Sequence, residues 1–109
     1  MAFGSKWKTY AFETEDGSCP FREWLKSLTD AKIRAVVLTR VGRMKDGNFG
    51  DYKILGDGIC EVRIHMGAGW RIYCGLAANY LIVILTGGSK KSQVGDIGRA
   101  KRFWREYEA

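Results

Sequence analysis

The chain has 109 residues, 46% hydrophobic and 28% charged, with one proline, 14 glycines and a net charge of +6, which suits one domain spanning residues 1–109 and excludes disorder. The longest wholly apolar run, Tyr80–Leu85, falls far short of the roughly 20 residues that cross a bilayer, and no secretory signal is expected, so membrane, secreted-precursor and multidomain-enzyme readings are set aside. The charge is uneven: residues 1–30 carry four bases and five acids, residues 31–109 fourteen and seven, a distribution that points to an anionic partner, nucleic acid being the commonest, with a merely basic soluble protein as the alternative.

Residues 7–13 are rich in strand formers and predict a first strand. Glu15 to Ser18 reads as a turn, and Pro20 suits the first position of a helix, where its missing N–H costs nothing. Phe21, Trp24, Leu25 and Leu28 then recur as one apolar stripe. Thr29-Asp30 ends that helix and can cap a second over Ala31–Lys45. There Ile33, Val37, Val41 and Met44 are expected to face inward, with Lys32, Arg34, Arg40, Arg43 and Lys45 outward. Asp46-Gly47-Asn48 stops it. Ile59–His65 and Trp70–Leu76 alternate around Gly67-Ala68-Gly69 and predict a hairpin. Tyr80–Thr86 is nearly all apolar and reads as a central strand covered on both faces, with Gly87-Gly88 breaking it. A last helix is expected from about Ser92, with Val94, Ile97, Ala100 or Lys101, Trp104 and Tyr107 along one side. This order predicts an α+β fold: an antiparallel sheet, two N-terminal helices packed on it and a C-terminal helix.

Cys19, Cys60 and Cys74 are odd in number, lack metal spacing and are expected to be reduced cytoplasmic thiols. Cys60 and Cys74, inside strand patterns, read as packing residues.

Alternation puts Cys60, Val62, Ile64, Trp70, Ile72 and Cys74 on one face of the hairpin. Glu61, Arg63, His65, Arg71 and Tyr73 fall on the other, which is expected to be accessible and holds the only histidine. One reading is a solvated face with cross-strand salt bridges. The other is phosphodiester chemistry. Cleavage of RNA by its own 2′-hydroxyl needs a proton acceptor, a proton donor and cations on the phosphate. Arginine clamps phosphate bidentately but does not shuttle protons. Histidine exchanges protons near neutral pH, and Tyr73 could stack on a base or position a hydroxyl. Gly87 to Gln93, with Lys90 and Lys91 at a strand-to-helix junction, is a candidate phosphate site or a charged connecting loop. Lys53 is a weaker candidate for backbone contact. Zinc, two-metal, nucleophile-elbow and dinucleotide patterns are all missing, so no cofactor or metal is expected.

The string Glu61-Val62-Arg63-Ile64-His65-Met66-Gly67-Ala68-Gly69-Trp70-Arg71-Ile72-Tyr73 resembles the hairpin of phage-related HigB-like addiction-module toxins of the RelE/ParE superfamily. Phe21–Leu28, the Gly47-Asn48-Phe49-Gly50-Asp51 turn and Gly87 to Gln93 with Asp96, Ile97 and Ala100 resemble further segments of that family, so the likeness covers roughly residues 7–107. Ser89, Ala68 and Trp70 stand where the family usually has aspartate, proline and tyrosine. The resemblance implies a RelE-like domain acting in the cytoplasm as a metal-independent mRNA endoribonuclease that inhibits translation on the ribosome. It also implies a cognate helix-turn-helix antitoxin as partner. By position it assigns the basic residues Arg63, Arg71 and Lys90, with His65 as acid or base. Glu61 is then expected to orient His65 or a neighbouring arginine, and Lys53, Tyr73 and Lys91 to contact RNA. A gyrase-inhibiting relative and a catalytically inactive module that only binds nucleic acid or protein are the alternatives.

Overall fold

A computed structural model describes residues 7–109. The elements are β1 (Lys8–Ala11), α1 (Pro20–Ser27), α2 (Ala31–Lys45), β2 (Tyr52–Gly56), β3 (Ile59–Ile64), β4 (Trp70–Ala77), β5 (Leu81–Ser89) and α3 (Gln93–Glu108), with one 3₁₀ turn at Lys90–Ser92 between β5 and α3. The fold is α+β: one five-stranded sheet in the order β1-β5-β4-β3-β2, with three helices. Among the described residues no helix is long and apolar enough to cross a membrane.

Local chemistry explains the helix starts. Pro20 occupies the first turn of α1, where no intrahelical donor is lost. The Asp30 carboxylate accepts from the Lys32 amide at 2.8 Å, capping α2 where the sequence places its start. Three departures concern the sheet. It is mixed rather than antiparallel, because β1 pairs with β5 in parallel, Lys8 opposite Leu81. No hairpin joins these two strands, so local turn geometry does not set their relative direction. Strand β2 is an edge strand that the sequence reading missed; it is short and mostly exposed, so it lacks a buried alternation. It joins β3 through Asp57 and Gly58, both at positive φ (56° and 83°), as a tight twisted hairpin requires.

The third departure is Gly87-Gly88, which lies within β5 rather than ending it. Gly87 pairs with Ile72 and Gly88 with Arg71. A side chain is excluded at each by close approach: a Cβ on Gly87 would lie 2.3 Å from the Trp24 ring, and one on Gly88 1.8 Å from an Asp96 carboxylate oxygen. These glycines face opposite sides of the sheet and let α1 and α3 seat against it.

Two cores result. Phe21, Leu28, Ile33, Val37 and Met44 of the first two helices, with Leu28 just past the end of α1, pack on Cys60, Val62, Ile72, Cys74, Ile82 and Ile84. On the other face, α3 brings Ala100 and Trp104 onto Ile59, Tyr73, Val83 and Leu85. Strand β5 is therefore covered on both faces, as its composition predicts, and Cys60 and Cys74 are buried free thiols paired across β3 and β4. The register shift between Tyr73 and Cys74 carries the partner from Thr86 to Ile84. It changes the alternation of β5, so that Thr86 and Gly88 join Val83 and Leu85 beneath α3. The stripe expected on α3 is partly wrong: Val94 is 88% exposed, and Asp96 is buried instead. Arg40, expected to point outward, donates to the carbonyls of Arg63 (3.0 Å) and Phe49 (3.1 Å).

Trp104 lies directly on Gly75, where a Cβ would come within 2.1 Å of the ring. Gly75→Ala is therefore expected to destabilise the domain by about 1–3 kcal/mol. Gly98→Ala, in α3 with nothing within 4 Å of an added Cβ, should instead stabilise it by about 0.5–1 kcal/mol. Urea unfolding of the two variants checks both signs.

Candidate nucleic-acid interface

The register of β3 and β4 brings the hairpin candidates together. Arg63 stands directly opposite Arg71, and Glu61 opposite Tyr73. Glu61 links them. Its Oε1 accepts from Arg63 Nε at 3.0 Å. Its Oε2 accepts from Gln93 Nε2 at 3.0 Å and faces Arg71 Nε at 3.6 Å. Arg71 also donates from Nη1 to the Gly69 carbonyl at 3.2 Å. Opposed like charges destabilise a ladder; one shared carboxylate between them relieves that repulsion. Burial alone would raise the Glu61 pKa, but the hydrogen bonds from Gln93 and Arg63 and the charge of Arg71 prevail and hold it below the ordinary carboxylate value.

The face is not open, however, which corrects the sequence reading. Helix α3 lies over it. Glu61 and Tyr73 have no solvent exposure, and the Arg71 side chain is only 11% exposed. The Arg63 side chain, at 29%, is the accessible member. Tyr73 cannot stack on a base from this position. Its hydroxyl has no well-formed hydrogen bond, and burial together with the Glu61 charge raises its pKa well above that of a free phenol. The alternation of the strand made these residues look exposed because it reveals which side chains share a face, not what covers that face.

His65 lies just past the end of β3, 72% exposed, and does not touch Glu61. Its Nε2 bonds Asp51 Oδ2. Of the two orienting roles expected of Glu61, only the one on arginine matches the geometry; Asp51 holds the histidine. Asp51 is a residue the sequence reading quoted in a motif but did not place in the site. Its position is fixed by the Arg63 amide, which donates to the Asp51 carbonyl at 2.8 Å. Arg40 lies against Gly50, where a Cβ would be 2.4 Å from the guanidinium. The His65 hydrogen bond, with the nearby charges of Arg63 and Arg40, holds the Asp51 carboxyl below its ordinary pKa. The Asp51–His65 pair and Arg63 thus form one continuous polar surface.

Lys90 flanks Arg71 from the other side. Its amide donates to the Gly69 carbonyl at 2.7 Å, and a Cβ on Gly69 would touch both the Lys90 side chain and Arg71 Nη1. Lys90 and Lys91 are exposed. The expected phosphate cradle behind them is already filled: Ser92 Oγ donates to Asp96 Oδ2, and that carboxylate sits against Gly88 at the start of α3. Protein carboxylate occupies the place that backbone amides would offer an anion. Lys53 is exposed and stands opposite Glu61 across β2 and β3.

A depressed carboxylate pKa is a stability statement. Glu61 contributes stability that is fully present above about pH 4.3, its unfolded pKa, and that is lost as the pH falls through its lower folded value. Glu61→Gln should remove that acid dependence and lower stability at pH 7 by roughly 3 kcal/mol, because Arg71 is left buried without its counter-charge. Denaturant midpoints of both proteins at pH 7 and pH 3 measure the difference.

No family model matches the chain. A Haemophilus influenzae protein described as uncharacterized is 40% identical over 86 residues, which cover 79% of this chain and 87% of that protein. At that identity and coverage, the chain belongs to the same family as the H. influenzae protein.

Proposed function

We propose that this is a RelE-like toxin domain that cleaves mRNA, with Arg63 and Lys90 gripping the scissile phosphate beside the Asp51–His65 pair and Arg71 holding Glu61 in place. The observation that carries the reading is the opposed Arg63–Arg71 pair, tied by one buried carboxylate and flanked by an exposed imidazole. A structural ion network needs no accessible histidine held by an aspartate at its rim. The likeness of the hairpin, the Gly47–Asp51 turn and the segment after β5 to HigB-like toxins supports the same reading.

In this chemistry His65 takes the proton of the 2′-hydroxyl through Nδ1, since Asp51 engages Nε2 and fixes the tautomer. The 2′ oxygen attacks phosphorus and the bond to the 5′ oxygen breaks, leaving a 2′,3′-cyclic phosphate and a 5′-hydroxyl. Arg63 stabilises the charge that develops on the phosphoryl oxygens, and Arg71 acts mainly by fixing Glu61 and the hairpin tip. Lys90 protonates the leaving oxygen. It follows β5, two strand spacings or about 10 Å from β3. The same reading makes the ribosome the site of action, the cytoplasm the location and a helix-turn-helix antitoxin the neutralising partner.

Purified protein mixed with ribosomes and mRNA, with 5′ ends mapped, tests the activity. Arg63→Ala should fold and lose about 100-fold or more in rate; His65→Ala should lose roughly 10²–10⁴-fold. Asp51→Asn should retain RNA binding while changing the pH–rate profile. Undiminished cleavage by Arg63→Ala sinks the site assignment. Both arginines pair with Glu61, so each variant's folded fraction is measured beside its rate, and Arg71→Ala, at the more buried of the two, is the poorer probe. The burial of Arg71 and Tyr73 favours one alternative, a module that binds nucleic acid without cutting it; full-length mRNA after incubation, with salt-dependent binding retained, selects that reading.

A further inference from the structure

A second candidate site lies at the far end of the same sheet face. Asp57, Ile59, Lys101, Trp104, Arg105 and Glu108 wall a recess of about 300 Å³ between the β2–β3 turn and the last turns of α3. Ile59 is four residues from Arg63 on β3, about 13 Å along the strand. Lys53, opposite Glu61, stands between them on the same face. Among the described residues Lys53, Lys101 and Arg105 make no ion pair, and neither do Asp57 and Glu108. Between the Glu61-paired Arg63 and the recess wall, Lys53, Lys101 and Arg105 are thus unpaired cations.

The Trp104 ring forms part of the recess wall. Trp104 is 3% exposed, and its indole Nε1–H has no acceptor. That edge of the ring lies against Gly58, where a Cβ would be 3.1 Å away, under the turn that Asp57 begins. Two cations and two carboxylates suit a ligand with both an anionic group and a base edge that carries N–H donors. Bare phosphate would leave the carboxylates opposed to it. A nucleotide satisfies both, and guanine presents adjacent N–H donors to one carboxylate and an acceptor on the same molecule.

We infer that this recess binds one nucleotide of an RNA strand, its phosphate on Lys101 and Arg105 and its base edge on Asp57, beside the Trp104 ring. The inference rests on the nuclease reading for its substrate, and it adds a flanking subsite that sets which nucleotide accompanies the scissile one.

The test is a titration of the ¹⁵N-labelled full chain with 5′-GMP, inorganic phosphate and glycylglycine, following the Trp104 indole resonance, assigned with Trp104→Phe. 5′-GMP should move that resonance and saturate. Lys101→Ala with Arg105→Ala should weaken the effect about tenfold or more, as loss of charge-assisted hydrogen bonds implies. Asp57→Asn, which tolerates the positive φ at that position, should weaken 5′-GMP but not phosphate. No movement with 5′-GMP overturns the inference. So does an equal response to phosphate, which would mark an anion site only, or to glycylglycine, which would mark a peptide site. Arg63→Ala should keep the 5′-GMP response while losing cleavage; a response lost with Arg63 would place binding at the arginine pair and overturn the recess. Absence of cleavage by the unaltered protein counts against the nuclease reading alone, because nucleotide binding is read separately.

Discussion

Glu61 is the constraint on which the site depends. A carboxylate sealed from water between two guanidiniums is stable only while its partners stay in place. Three elements supply them: Arg63 on β3, Arg71 on β4 and Gln93 at the start of α3. The same side chain fixes the hairpin register, since a one-residue slip would carry Glu61 to the face occupied by Val62 and Ile72. It also seats the first turn of α3. Sheet, helix and cation cluster are thus held by one charge.

That arrangement divides the cations by role. Arg71 is enclosed and contributes position; Arg63 keeps enough exposure to meet a ligand. The histidine stands outside the buried network. His65 has its own partner, Asp51, on a turn that Arg40 ties to the backbone of β3 and the preceding loop. A buried, rigid set of charges and a solvated histidine side by side is a workable division, because the first needs a low dielectric and fixed geometry and the second needs proton exchange with water.

Glycine marks where elements approach most closely. Gly75 accepts Trp104, Gly87 accepts Trp24, Gly88 accepts Asp96, and Gly50 accepts Arg40. The last two lie beside functional candidates. The Gly88–Asp96 contact fills the start of α3 with the protein's own anion, which leaves the side chains of Lys90 and Lys91 as the exposed cations there.

Local pattern in the sequence determined the helices over Ala31–Lys45 and after Pro20, the β3–β4 hairpin, the doubly covered β5 and the shared face of Glu61, Arg63, Arg71 and Tyr73. Each follows from periodicity, caps and turn residues acting over a few positions. Tertiary structure decided the rest. Whether that face is open depends on where α3 packs, and α3 lies some thirty residues downstream. The partner of His65 is an aspartate fourteen residues earlier, and the parallel pairing of β1 joins the two ends of the sheet's chain path. Such contacts arise from long-range packing, whose energy belongs to no local segment, so no local pattern records them.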